Sequence, residues 1–174
     1  MSNVIRFYEK KEPYYEFSNF CLSPFQCDGK TWLTSEHYFQ ANKFTHCPIY
    51  YQYILECDSP LKVFSMARQK QMAGYHSKCV VNKKTNPRLV NDVIAEFRNI
   101  SIVENWESVK ETVMKKALVA KFQQNVSLKA LLVGTGSAIL IEASPRDNYW
   151  GEGKLKNGQN RLGHLLMEVR QELQ

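Results

Sequence analysis

Apolar and polar positions change their rhythm along the chain, and the change separates short extended segments near the start from helices after them. Val4 to Phe7 is a short extended segment. Phe25-Gln26-Cys27 and Lys30-Thr31-Trp32 flank Asp28-Gly29, a pair suited to a type I′ turn, which predicts a hairpin. Thr34 or Ser35 then caps a helix running to about Phe44, and Pro48 begins another over Ile49 to Cys57. Ser59-Pro60 opens a third helix with Gly74 as its stop, and Asn86-Pro87 repeats that cap for a helix to about Ile100. The longest helical candidate is Glu104 to Gln124, where Trp106, Val109, Val113, Ala117 and Ala120 recur at helical spacing. Ser127 caps a short turn of helix to Val133, and Ala138 to Ala143, largely apolar, reads as a buried strand. Asn160 caps the terminal helix, whose inner face is Leu162, Leu165, Leu166 and Val169. The fold class these elements predict is α+β: a mostly helical single domain over residues 1–174, with a small mixed sheet made from segments distant in sequence.

Composition sharpens this picture in three places. The 174 residues suit one domain, and an apolar share of 44% supplies a core. A net charge of +6 favours anionic partners such as nucleotides or nucleic acid, yet no basic run exceeds two residues, so binding to nucleic acid by charge alone is poorly supported. The five cysteines are odd in number and lack Cys-x-x-Cys spacing, and the four histidines show no metal-ligand spacing. No metal and no cofactor are therefore expected. No opening signal segment and no apolar run of membrane-spanning length is seen, so the expected setting is reducing, cytoplasmic or nuclear, without a membrane partner.

Two segments carry candidate chemistry. The first is Asp147-Asn148-Tyr149-Trp150-Gly151-Glu152-Gly153, followed by Lys156-Asn157-Gly158 and Asn160-Arg161-Leu162-Gly163. Clustered glycines mark backbone that bends or approaches something closely, and a helix N-terminus suits an anion. The combination reads as a site for a phosphorylated ligand with a flat ring; a plain surface loop would use the same residue types. The second pairs Tyr14-Tyr15-Glu16-Phe17-Ser18-Asn19-Phe20 with Ser35-Glu36-His37-Tyr38-Phe39-Gln40-Ala41-Asn42-Lys43-Phe44. On a helix Glu36, Gln40 and Lys43 share one face. A solvated stripe would give the same spacing. The aromatic flanks argue for enclosure instead, and a Glu in the first turn is held ionised by the positive helix end.

Together these segments resemble the NADAR superfamily. The matching residues are Glu16-Phe17-Ser18-Asn19-Phe20, then Ser35-Glu36-His37-Tyr38-Phe39-Gln40-Ala41-x-Lys43-Phe44, then Asp147-x-x-Trp150-Gly151-x-Gly153 with Gly158-x-Asn160-x-Leu162-Gly163-x-x-Leu166-Met167-x-x-Arg170. Met114, Ala117, Leu118, Lys121 and Phe122 fit the family's long middle helix. The chain departs from the family after Gly74, where Tyr75 stands at a position that often carries an Arg in the family; either Arg68 or Lys78 supplies the basic group there, or the chain has none at that place.

The resemblance implies N-glycosidase chemistry on a ribose C1–N bond. Some members of the family act on phosphoribosyl-aminopyrimidines of riboflavin biosynthesis, and others remove ADP-ribose from guanine in nucleic acid. The implied catalytic residues are Glu36, Lys43 and Asp147. The implied ligand-binding residues are Phe17, Asn19, Phe20, Gln40, Trp106, Trp150, Gly151, Gly153 and Asn160. Cleavage places positive charge on the sugar and negative charge on the leaving base, so a carboxylate near C1 and a donor near the base both help. Trp150, Phe20 and Trp106 can stack on the base or enclose the sugar, or can be core residues. Lys43, desolvated among aromatics, opens a second route through attack on C1 and an imine; Lys121 is a weaker candidate for the same roles. A non-catalytic module that reads ADP-ribose or NAD would use the same glycines and aromatics, but would not need Glu36, Lys43 and Asp147. The expected partner is a ribosylated nucleobase, and the positive charge leans toward one carried on nucleic acid.

Overall fold

The computed structural model describes residues 3–68 and 100–174. Strand β1 (Val4–Phe7) pairs in parallel with β4 (Ile139–Glu142), Val4 lying opposite Ile139 and Phe7 opposite Glu142. The alternation of side chains along a strand sorts this pair: Ile5, Phe7 and Leu140 are buried, whereas Val4 and Ile139 face outward together. The expectation that β4 is buried throughout is therefore corrected to one buried face. Strands β2 (Phe25–Cys27) and β3 (Lys30–Trp32) form the antiparallel hairpin, with Phe25 opposite Trp32. Asp28 and Gly29 both have positive φ, 51° and 70°, as a type I′ turn requires. The buried Trp32 indole donates to the Cys27 carbonyl at 3.0 Å, linking the open end of β3 to the turn end of β2. The α+β class with a helical majority holds. Its strands fall into one parallel pair and one antiparallel pair among the described residues rather than into one continuous sheet.

Helix α1 (Ser35–Ala41) tightens into a 3-10 turn over Asn42–Phe44. Helix α2 (Pro48–Glu56) starts on its proline, and α3 (Pro60–Arg68) does the same. The long α4 (Trp106–Gln124), the short α5 (Val126–Gly134) and the terminal α6 (Arg161–Leu173) follow. One further turn, the 3-10 segment Tyr15–Phe17, is entered through Tyr14 in the left-handed region and was not expected from the pattern. The Gly74 stop, the Tyr75 departure, Lys78 and the helix opened by Asn86-Pro87 lie outside the described residues.

Two compact units result: Met1–Ser35 with Met114–Gln174, and Glu36–Val113. The core of the first is built on Phe7, Phe17 and Phe122, whose rings meet edge-on at 5.7 and 6.0 Å between centroids. Leu118, Leu132, Leu140, Leu162 and Leu166 complete it, all fully buried. Against this apolar set α6 also buries Arg170, whose guanidinium donates to the Thr135 hydroxyl at 2.8 Å and the Ala138 carbonyl at 2.9 Å. The second unit centres on Phe44, Tyr50, Ile54 and Val63, with Phe44 and Tyr50 meeting edge-on at 4.8 Å.

Candidate active site

Helix α1 supplies the acid. Glu36 lies in its first turn and is only 4% exposed. Gln40, one helical turn on, donates through Nε2 to Glu36 Oε1 at 2.7 Å. A carboxylate accepts only, so the amide must present its NH2 group to Glu36, and its carbonyl oxygen is turned the other way. That Oε1 is buried and finds no hydrogen-bond partner among the described residues. A solvated stripe is excluded for Glu36 and Gln40, because both are buried. Between them in sequence, His37 is buried and bonds through Nε2 to the Cys57 carbonyl at 3.0 Å. Burial lowers its pKa, against the opposing pull of that carbonyl and of Asp58, so the ring is a neutral structural group near pH 7.

The 3-10 turn after α1 brings Lys43 among aromatics. Its Nζ lies 5.3 Å from the Phe39 ring centroid and 5.5 Å from that of Trp106, within cation–π range of both. The two rings are themselves 4.9 Å apart. The Val103 amide donates to the Lys43 carbonyl at 2.9 Å, which anchors the approach to α4 at this point. Trp106 is buried, so it serves as a wall against Phe39 as well as a partner of the ammonium group.

The motif turn at residues 16–20 is held by a residue on α4. Lys121 is fully buried and donates through Nζ to the carbonyls of Glu16 at 2.7 Å and Ser18 at 3.0 Å. Burial lowers its pKa to about 8, against smaller opposing effects of Cys21 and Glu16. Phe17 is locked in the core, which makes it a packing residue. Asn19 is buried with Oδ1 lacking a partner among the described residues, and the Phe20 amide is tied to the Ser18 hydroxyl at 3.2 Å. The signal for Lys121 in the sequence was a lysine on the inward stripe of an amphipathic helix; its anchoring role depends on two carbonyls a hundred residues earlier and was not foreseeable from spacing.

The glycine loop turns out to be held by its own backbone. Asp147 Oδ1 accepts from the amides of Tyr149 at 2.9 Å and Trp150 at 2.8 Å. Glu152 donates to the Glu142 carbonyl at 2.8 Å, and Gly158 to the Glu152 carbonyl at 2.8 Å. A β-carbon on Gly151 would stand 2.9 Å from the Glu142 carbonyl oxygen, and one on Gly153, where φ is +68°, would run into the Asn148 side chain. Close packing against the end of β4 at Gly151, and against the loop's own Asn148 at Gly153, thus accounts for both glycines. The Trp150 ring is half-buried and meets Tyr149 edge-on at 5.1 Å.

Asn160 differs from expectation. It precedes α6 but makes no side-chain cap, and its φ of 49° and ψ of 39° are left-handed. Its Oδ1 accepts from the Glu142 amide at 2.9 Å and its Nδ2 donates to the Leu140 carbonyl at 2.8 Å. Both bonds satisfy polar groups along β4 that a short strand pair leaves open, and this demand outcompetes capping.

The structure brings Glu36 to Gln40 and Lys43 to Trp106; it gathers Asp147, Trp150, Gly151, Gly153 and Asn160 into one loop, and Phe17, Asn19 and Phe20 into one turn. Comparison with known proteins agrees with the motifs these groups carry. A model of the NADAR domain matches residues 6–174. The chain is 42% identical to N-glycosidase YbiA of Escherichia coli, over 98% of this chain and 88% of that protein. It is 33% identical to the chloroplastic riboflavin biosynthesis protein PYRR of Zea mays, over 99% of this chain but 25% of that protein. The NMR structure of the E. coli protein YbiA superposes with a TM-score of 0.77 at 41% identity, covering 99% of this chain and 85% of that one. A relative from Nostoc punctiforme is likewise named an N-glycosidase, which bears out the expected enzyme class. With a family match over nearly its whole length and these relatives, the chain belongs to the NADAR family.

Proposed function

We propose that residues 1–174 act as a single catalytic domain, a cytoplasmic N-glycosidase that removes ADP-ribose from guanine bases in nucleic acid by cleaving a ribose C1–N bond. The observation that carries this reading is the buried Glu36 carboxylate held by the Gln40 amide, inside one of the segments that carry the resemblance to the family. As the C1–N bond breaks, its electron pair leaves with the base and the sugar becomes cationic. Glu36 stabilises that cation and takes a proton from the water whose oxygen bonds to C1; the proton then passes to the departing base. The net charge of +6 suits an anionic substrate. For the Asp147–Gly153 loop we assign binding, through the Trp150 ring and the Asp147 oxygen that the loop's own amides do not use. Phe20 and Asn19 are assigned to the ligand as well.

Lys43 has two roles consistent with its aromatic surroundings: neutralising a phosphate, or attacking C1 through its neutral amine. In the second, the N–C1 bond forms as the base leaves. The ring oxygen then takes up a proton as the imine forms, and water finally releases the sugar and restores the amine. A second substrate reading is kept because relatives from Zea mays and Vibrio vulnificus are named riboflavin biosynthesis proteins. In it the same bond is cleaved in a phosphoribosyl-aminopyrimidine.

Incubating the protein with each substrate and detecting the cleavage product by mass, ADP-ribose from the DNA substrate and the freed aminopyrimidine from the other, tests both readings. Release of ADP-ribose from ADP-ribosylated DNA, with the guanine left unmodified in the strand and with no cleavage of the pyrimidine intermediate, is the expected result; the reverse pattern selects the second reading, and no cleavage of either overturns the enzyme assignment. Glu36→Gln is expected to lower turnover about a hundredfold or more while leaving the fold intact. Near-normal turnover in that variant would remove Glu36 from the mechanism.

A further inference from the structure

We infer that Gln40 is a specificity-determining residue: its side-chain carbonyl accepts a hydrogen bond from the hydroxyl on the sugar carbon next to C1, restricting the enzyme to ribosyl over 2-deoxyribosyl substrates. The inference rests on the N-glycosidase reading above and holds for either of its two substrates, since both carry that hydroxyl.

Three observations lead to it. Gln40 is 4% exposed, so its polar atoms are removed from bulk water. Its Nε2 is committed to Glu36 Oε1 at 2.7 Å, which fixes the orientation of the amide. Its Oε1 is buried and lacks a hydrogen-bond partner among the described residues. A buried acceptor without a donor is unfavourable by roughly 1–3 kcal/mol, so such an atom at a functional site points to a donor supplied by a ligand.

Chemistry selects the donor. The orphaned oxygen belongs to the amide that grips the Glu36 carboxylate, so any donor it meets lies close to the atom Glu36 serves, C1. Two kinds of donor occur near C1: N–H groups of the base and the hydroxyl on the neighbouring carbon. During cleavage the base gains negative charge and its N–H groups become poorer donors; a carbonyl oxygen facing them would oppose departure. The neighbouring hydroxyl, beside a developing cation, becomes more acidic and a better donor. An acceptor there binds the transition state more tightly than the ground state, which is what accelerates the reaction. The arrangement also uses one residue twice: the amide NH2 holds the carboxylate, and the amide carbonyl holds the sugar.

The test compares wild-type protein, Gln40→Leu and Gln40→Glu on two substrates: the ribosyl substrate that the wild type cleaves, and its counterpart lacking the hydroxyl next to C1. Each rate is divided by the uncatalysed rate of that substrate. The wild type is expected to prefer the hydroxyl-bearing substrate by about tenfold to a hundredfold in kcat/KM. Gln40→Leu is expected to lose that preference. Gln40→Glu, which keeps an acceptor, is expected to retain it, while two adjacent carboxyls shift the acidic limb of the pH profile upward. Equal wild-type rates on the two substrates would overturn the inference without any variant, so it stays testable even if Gln40→Leu fails to fold. An unchanged preference in folded Gln40→Leu would overturn it too. Failure of the wild type to cleave either ribosyl substrate would instead strike down the N-glycosidase reading, and this inference with it.

Discussion

Replacing Gly163 with alanine sets two physical effects against each other, and the structure says which prevails. Gly163 is the third residue of α6 and is buried. Alanine is favoured over glycine in a helix by up to about 1 kcal/mol, so local propensity alone predicts a more stable protein. A β-carbon at this position, however, would run into the Leu140 carbonyl oxygen, and would stand 2.5 and 2.6 Å from the amide atoms of Asn160. The Asn160 side chain is the one that bonds the Glu142 amide and the Leu140 carbonyl. Forcing it aside forfeits two hydrogen bonds at about 1 kcal/mol each, and crowding against backbone adds about 1–3 kcal/mol. After subtracting the propensity gain, the net loss is about 2–4 kcal/mol, which for a domain of this size lowers Tm by roughly 5–15 °C. Urea unfolding and a thermal scan of Gly163→Ala measure it. A double-mutant cycle with Asn160→Ala localises the cause: once the Asn160 side chain is gone, the added cost of Gly163→Ala is expected to shrink, because part of the obstruction has been removed. A Gly163→Ala protein as stable as the wild type, or more so, would refute the argument and return the glycine to a matter of helix propensity.

Three further outcomes follow from the same geometry. Borohydride added during turnover is expected to trap a sugar adduct that peptide mapping places on Lys43 and that Lys43→Ala removes; activity retained in Lys43→Arg, with no adduct, would assign the residue to phosphate neutralisation, since arginine stays protonated. Lys121 has a folded pKa of about 8 against an ordinary 10.5. Both states hold the proton below about pH 8; above it the folded chain releases it while the unfolded chain keeps it. Stability from this group therefore rises with pH between those values. The difference in unfolding free energy between wild type and Lys121→Met, followed from pH 7 to 10.5, is expected to show that rise, and a flat difference would contradict it. Arg170→Met removes donors from the Thr135 hydroxyl and the Ala138 carbonyl and is expected to lower stability by about 1–3 kcal/mol, read as a shift in the urea midpoint with m unchanged.

What the sequence determined by itself is local. The Asp28-Gly29 turn, the prolines opening α2 and α3, the 3.6-residue stripe of α4 and the apolar face of α6 each depend on residues within a turn or two, and each element formed where its pattern put it. The Glu36–Gln40 pair belongs here too, since i,i+4 contact follows from helix geometry alone. Family identity was also readable, because its motifs are short runs of specific residues. Tertiary structure decided everything that joins distant segments. Only the parallel pairing of β1 with β4 shows that the strands divide into two pairs, since a parallel register is set by a crossover and not by the strands' own composition. Burial of Lys121 on two carbonyls, and diversion of Asn160 from helix cap to strand partner, arose because backbone groups elsewhere in the fold needed partners. The loop glycines looked like ligand contacts in the sequence; the fold reveals that the Glu142 carbonyl and the Asn148 side chain already occupy the space a side chain would need. A glycine records that room is scarce around its α-carbon, and only packing tells what takes up that room.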